Sequence, residues 1–154
     1  MLALVSLVVA LTLPQNGVLA PGRSLGGAHL GDTRAAVVAR WGSNYGVCRG
    51  CERPTLYWNY RRFDPQGAGA TFRRGRVVAL VTLWAPSGWK TTKGLLVNDN
   101  EARVTELYSA LPRVSCEGYD ALTLRSRDAV TAIYVRLGAV WGFGLMRPSE
   151  PLCR

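Results

Sequence analysis

The chain has 154 residues, of which 48% are hydrophobic and 19% are charged, with 17 glycines and 8 prolines. This composition is typical of a globular domain and excludes disordered and fibrous proteins. The net charge is +9, and residues 21–89 contribute +7 of it against +2 from residues 90–154. An arginine excess in one half favours acidic partners such as proteins or anionic polymers, although arginine usage also follows the GC content of a genome.

The chain opens with an apolar run, "MLALVSLVVALTL". It is shorter than the roughly 20 residues that cross a bilayer, and it is typical of a secretory signal. The small residues of "VLA", which end at Ala20, fit a cleavage site, so we predict a signal peptide over 1–20 and a secreted or extracytoplasmic protein. A buried N-terminal strand is the alternative, because no Lys or Arg precedes the run and Pro21 would follow the cut.

Two short helices are predicted, in "LGDTRAAVVARWG" (30–42) and in "VNDNEARVTELYS" (97–109). Each begins with side chains that can accept hydrogen bonds from the first helical turn, and each places apolar residues on one face. The starting residues are Asp32 and Thr33 in the first helix and Asn98, Asp99 and Asn100 in the second; the apolar residues are Val37, Val38 and Trp41, then Val104, Leu107 and Tyr108.

Three strands are predicted after each helix. They are "TLYWNY" (55–60), "AGATF" (68–72) and "RVVALVTLW" (76–84), then "ALTLRS" (121–126), "TAIYVRL" (131–137) and "AVWGFGLM" (139–146). The second and third strands of each set are joined by a short turn that contains glycine, Gly75 or Gly138, which is typical of a hairpin.

The same order of elements therefore occurs twice, and residues match when Gly27 is placed over Gly94. We predict an α+β fold in which two tandem helix-plus-antiparallel-meander repeats form a shared curved sheet with the helices on one face. The predicted divisions are repeat 1 over 21–85, a linker over 86–93 and repeat 2 over 94–154.

The glycine-led loop, the capped helix and the following meander, carried by "LGDTRAAVVARWG" and "TFRRGRVVAL", resemble the modules of outer-membrane assembly lipoproteins of the SmpA/OmlA (BamE) type. Two modules in tandem resemble the secreted β-lactamase inhibitor proteins (BLIP-like). The resemblance implies a concave sheet that grips a partner protein without catalysis. Members with a lipid anchor carry a cysteine just after the signal; none lies near Ala20, so no lipid anchor is expected.

Four cysteines in an exported chain favour two disulfide bonds. Three pairings exist, and we prefer Cys48–Cys51 with Cys116–Cys153 because each bridge then stays within one repeat. The motif "CRGC" is also found in redox sites and in zinc sites, so both roles are alternatives. The redox role is disfavoured because Pro54 and a strand follow instead of a helix, and the zinc role because Cys116 and Cys153 lie far apart in sequence.

The sequence contains no pattern that predicts an enzyme. His29 is the only histidine, no serine lies in a nucleophile-elbow motif, and "GRSLGGAHLG" lacks the Lys-Ser/Thr of a phosphate-binding loop. We therefore expect no catalytic residues, no metal and no cofactor, and no specific nucleic-acid partner.

Strand alternation predicts which side chains the helix-free face of the sheet displays. The predicted partner-binding residues are Tyr57, Asn59, Arg61, Thr123, Arg125, Tyr134 and Arg136. Tyrosine and arginine are enriched at binding hot spots, although a solvated sheet face would carry the same types. Periodicity does not decide whether Trp84, Trp141 and Phe143 are core residues or exposed anchors.

Two functions follow. The first is an exported, non-catalytic module that binds an unidentified protein partner through the open sheet face, with inhibitor-like binding as one form. The alternative is an envelope protein that binds an anionic polymer through its arginine-rich first half, including Arg61, Arg73, Arg74 and Arg76.

Overall fold

The computed structural model describes residues 12–58, 67–84 and 86–154. In these residues strands dominate, and two short helices interrupt them. The elements of the first part are β1 (Asn16–Ala20), β2 (Ser24–Leu25), β3 (Ala28–His29), α1 (Arg34–Trp41), β4 (Tyr45–Val47), β5 (Thr55–Trp58), β6 (Gly67–Arg73) and β7 (Arg76–Leu83). The elements of the second part are β8 (Gly88–Thr91), α2 (Ala102–Tyr108), β9 (Arg113–Cys116), β10 (Tyr119–Arg125), β11 (Val130–Arg136) and β12 (Ala139–Met146).

The described strands form two sheets, and the larger sheet has eight of them in the order β4-β5-β6-β7-β12-β11-β10-β9. All its neighbouring strands are antiparallel, and β7 pairs with β12 at its centre. The predicted hairpins form here as expected, because Arg74–Gly75 and Leu137–Gly138 all have the positive φ values that tight two-residue turns require.

The smaller sheet has four strands in the order β3-β2-β1-β8. Strand β1 lies inside it, antiparallel to β2 and parallel to β8. Residues 16–20 of the predicted signal peptide and residues 88–91 of the predicted linker are thus strands of the folded domain. Leu13, Leu19 and Trp89 are each at most 1% exposed.

The main core lies between the two sheets, where α1 and α2 also pack. Three tryptophans meet in it: the Trp41 ring lies 5.2 Å from that of Trp58 and 5.7 Å from that of Trp89, both edge to face. Their indole N–H groups donate to the carbonyls of Gly26, Gly42 and Pro14, so these large rings are buried without an unsatisfied donor.

The predicted fold class is therefore wrong. The described part of the chain is mostly β, with two sheets, and its helices are not the sole cover of one face, because the small sheet packs beside them. Helix α1 does start as expected, with Thr33 Oγ1 accepting from Ala36 N–H. In the second helix Asn100 Oδ1 accepts from Ala102 N–H.

Candidate protein-binding groove

The outer face of the large sheet turns away from the main core and carries a second apolar cluster. Its buried members are Ala79, Leu83, Ala121, Val130, Ala132, Tyr134, Trp141 and Met146. The C-terminal tail, residues 147–154, passes over the β10–β12 part of this face, and Leu152 packs against the cluster. The tail therefore divides the outer face into a covered part and an open part.

Several contacts, among them a disulfide, two tyrosine hydrogen bonds and an ion pair, hold the tail. Cys153 is bonded to Cys116. The Tyr134 hydroxyl donates to the Leu152 carbonyl at 2.8 Å, and the Tyr119 hydroxyl donates to the Arg154 carbonyl at 2.6 Å. The carboxylate of Glu150, whose side chain is 1% exposed, forms an ion pair with Arg53, which precedes β5.

The open part is a groove of about 680 Å³. One wall is formed by the 51–53 segment with Thr55 and Tyr57, and the other by Glu150, Pro151, Cys153 and Arg154. The Arg53–Glu150 ion pair joins the two walls at one end.

The groove exists because two β6 residues on this face, Gly67 and Gly69, have no side chain, and Thr71 follows them. Gly67 and Gly69 line the floor together with Val81, Leu83 and Trp141. The ring of Tyr57 lies only 3.1 Å from where a Cβ on residue 69 would be. A larger residue at position 69 would therefore displace that ring or fill the floor.

The other end of the groove carries an aromatic cluster. The Tyr119 ring lies 5.0 Å from that of Trp141 and 5.7 Å from that of Tyr134. The Arg136 guanidinium lies 5.3 Å from the centre of the Trp141 ring, within range of a cation–π interaction. This end presents a flat apolar surface beside a fixed positive charge.

Electrostatics at the site have two main features. Burial raises the pKa of the Tyr134 hydroxyl, so this group stays neutral and acts as a donor to the tail. Beyond the groove, hydrogen bonds from Arg113 and Ser115 lower the pKa of Asp120, and Arg113 also pairs with Glu101.

The structure separates the predicted partner-binding residues. Tyr57 is half-buried and Arg136 exposed, and both line the groove. Arg125 is exposed at the end of β10, away from the groove. Asn59 and Arg61 lie outside the described residues.

Two of the predicted surface residues require correction. Tyr134 is 0% exposed because the tail covers it, and Thr123 is 2% exposed, with its hydroxyl donating to the Pro112 carbonyl. Alternation placed both on the correct face, but it carries no information about what covers that face. Among the residues left undecided, Phe143 is core, Trp141 lines the groove and Trp84 is 47% exposed.

Sequence reasoning missed Tyr119, Glu150 and the tail as parts of the site. The only local signal was Cys153, whose bridge to Cys116 brings the tail back onto the sheet. The structure pairs Cys48 with Cys51 as the other bridge, and this loop adjoins the first wall.

No three His, Cys, Asp or Glu side chains converge to hold a metal ion within the part of the chain that the structure describes. In the same residues, no helix is long and apolar enough to cross a membrane.

No family model and no curated protein sequence matches the chain. Solved structures do. A Bacillus anthracis extracellular protein containing a SCP domain matches with a TM-score of 0.54 and 12% identity, over 77% of this chain and 44% of that one. A cysteine-rich secretory protein from Staphylococcus aureus matches with a TM-score of 0.54 and 12% identity, over 90% of this chain and 50% of that one.

These matches show similarity of fold, and the chain spans at most half the length of either structure. They correct the earlier resemblance: the structural neighbours are proteins with SCP domains, so assignment to the BLIP-like or BamE-like tandem-repeat proteins is wrong. The extracellular neighbours and the two disulfides are consistent with a secreted or extracytoplasmic protein.

Proposed function

We propose that this protein is an exported, non-catalytic module that binds another protein in the groove between the tail and β5. The observation that carries the proposal is the groove itself, an open channel with a glycine, valine, leucine and tryptophan floor. The occupant we propose is an extended segment of a partner protein that places apolar side chains on this floor.

The residue types around the floor support a protein partner. Tyr57, Tyr119 and Trp141 supply large apolar surfaces with few rotatable bonds, and Arg136 supplies a charge already oriented on an aromatic ring. Tyrosine, tryptophan and arginine are the residues that most often dominate the free energy of binding at protein interfaces.

The fixed walls of the groove also support a protein partner. A disulfide loop borders one wall, a second disulfide holds the other, and an ion pair joins them. A groove whose walls are fixed before binding loses little conformational entropy when a partner arrives. Inhibition of an enzyme is one outcome that such binding could produce.

The test compares three forms of the full chain immobilised in culture medium: wild type, Tyr57→Ala and Leu96→Ala. Leu96 is the matched control, because it is 38% exposed and does not line the groove. We expect wild type and L96A to retain the same protein at about 1 M salt, where charge attraction is screened, and Y57A to lose it by about tenfold or more.

Capture of a protein by wild type alone does not show where it binds; the comparison of the three forms does. Equal retention by all three forms would contradict binding in the groove. Retention that disappears from wild type at high salt would show that charge, and not the apolar floor, holds the partner.

A further inference from the structure

One end of the large sheet concentrates positive charge. Strands β6 and β10 end there, and β7 and β11 begin there, because Ala79 of β7 pairs with Met146, Met146 with Val130, and Val130 with Arg125. Six arginines, which we call the sheet-end arginines, lie on the turns and strand ends at this edge: Arg73, Arg74, Arg76, Arg125, Arg127 and Arg147.

Two contacts bring the β6–β7 turn close to the end of β12. Arg76 Nη1 donates to the Gly31 carbonyl at 3.4 Å, and the Arg147 guanidinium also lies against Gly31. Arg147 Nη1 in turn donates to the Asp128 carbonyl in the β10–β11 turn at 3.4 Å. The two turns are three strand intervals apart, roughly 14 Å.

The described carboxylates near this edge, including Glu52 in the β4–β5 loop, do not form ion pairs with its arginines. Among the described residues, no ion pair involves any of the six arginines, whereas Arg53, Arg103 and Arg113 each have a carboxylate partner. Asp128 is the one carboxylate within the two turns, and neighbouring Asp32 accepts from His29 N–H.

The closeness of these arginines lowers the stability of the chain when no ligand is bound. Arg73 and Arg76 are directly opposite each other across the β6–β7 pair, and like charges in that position destabilise a sheet. Arg113 on the edge strand β9 differs from these arginines, because its guanidinium is bracketed by the carboxylates of Glu101 and Asp120. An edge of guanidinium groups that have no carboxylate partner is stabilised when oxyanions bind to it.

We propose that the sheet-end arginines form a second binding surface, for a linear polyanion whose phosphate or carboxylate groups follow one another closely. This surface is separate from the groove and does not rest on the protein-binding function. Charge complementarity identifies the ligand, since the guanidinium fork matches both oxyanions. The surface differs from an arginine-rich first half, because Arg125, Arg127 and Arg147 come from the second half of the sequence.

The experiment measures binding of the full chain to fluorescently labelled polyphosphate and to labelled polyglutamate, at about 50 mM and about 200 mM salt. Three double variants each remove two positive charges: R73Q/R74Q, R125Q/R127Q and the control K90Q/R103Q. All six side chains are exposed, and the control residues lie outside the sheet-end edge.

We expect wild type and the control to bind at least one polymer alike, and each sheet-end double variant to bind it on the order of tenfold more weakly at low salt. The salt dependence should also become less steep in both sheet-end variants. Tighter binding of polyphosphate or of polyglutamate would identify which oxyanion is preferred.

Three outcomes would overturn the proposal: no binding of either polymer at low salt, equal weakening in all three double variants, or binding only to vesicles of anionic lipid. Without binding at low salt, linear polyanions would not be ligands of this surface. Equal weakening would attribute binding to the net charge of the protein, and binding only to vesicles would indicate a membrane surface as the ligand.

Discussion

The hydroxyl of Tyr134 donates a hydrogen bond to the backbone carbonyl of Leu152 at 2.8 Å, and this contact fixes the C-terminal tail over the middle of the outer sheet face. Tyr134 is fully buried as a result. The tail thereby removes one half of the face from solvent and forms a wall of the groove over the other half.

Alkaline pH should lower the free energy of unfolding through Tyr134. The pKa of Tyr134 is raised by burial, whereas tyrosine in the unfolded chain ionises near pH 10. Above that pH the unfolded state releases a proton that the folded state retains, so the free energy of unfolding falls as pH rises, by up to about 1.4 kcal/mol per pH unit from this group.

Urea unfolding of wild type and Tyr134→Phe between pH 8 and pH 12 measures the effect. At pH 8 the variant should be less stable by about 1 kcal/mol, because it lacks the hydrogen bond. The difference should shrink or reverse above about pH 10. Parallel pH profiles for the two proteins would contradict the assignment of a buried, neutral hydroxyl.

The two disulfides should differ in their effect on stability. The Cys116–Cys153 bridge spans 37 positions and the Cys48–Cys51 bridge spans 3. In the chain-entropy view a longer loop gives more stabilisation, about 4 kcal/mol against less than about 2. We expect C116S/C153S to lose more unfolding free energy than C48S/C51S in chemical denaturation.

Amide hydrogen exchange in the same variants separates a local from a global effect. Exchange of residues 147–154 should accelerate in C116S/C153S and stay near that of wild type in C48S/C51S. Equal losses of stability, with no change at the tail, would show that the long bridge does not hold the second wall.

Removal of residues 12–20 should disrupt the fold. The segment supplies β1, the buried Leu13 and Leu19, and the carbonyl of Pro14 that accepts from Trp89. Loss of one buried leucine costs about 2–5 kcal/mol, comparable to much of the stability of a small domain. We expect a chain of residues 21–154 not to unfold cooperatively, whereas residues 12–154 should.

Thermal unfolding followed by near-ultraviolet circular dichroism distinguishes the two chains, because the Trp41–Trp58–Trp89 cluster gives a signal only when packed. Equal transitions would show that β1 is dispensable. If the chain is cleaved during export, we expect the cut before Leu13, and not after Ala20.

The sequence predicted the strands that carry strong local signals. Alternation in "LYW" and "TAIYV", together with Arg74–Gly75 and Leu137–Gly138 at the turns, indicated β5 to β7 and β10 to β12 near their observed bounds. The small sheet was missed. Its β2 and β3 have two residues each, and β1 pairs with β8 across about 70 positions, so no local pattern indicates it.

The candidate site was predicted only in part, because it too depends on long-range contacts. Periodicity assigned Tyr57 and Arg136 to the outer face, and both line the groove. The groove also depends on the path of the tail, which long-range contacts such as Arg53–Glu150 and Tyr119–Arg154 determine. Such long-range contacts leave no local pattern in the sequence, so the groove could not be predicted from it.

Side-chain oxidation by hydroxyl radicals measures whether the tail covers one half of the outer face and leaves the groove open. Mass spectrometry of the intact chain should rank oxidation rates as Trp84, 47% exposed, above half-buried Tyr57, and Tyr57 above Tyr134, 0% exposed. In C116S/C153S the rate at Tyr134 should rise towards that of Tyr57. Oxidation of Tyr134 in the intact chain as fast as that of Trp84 would show that the tail does not cover this face.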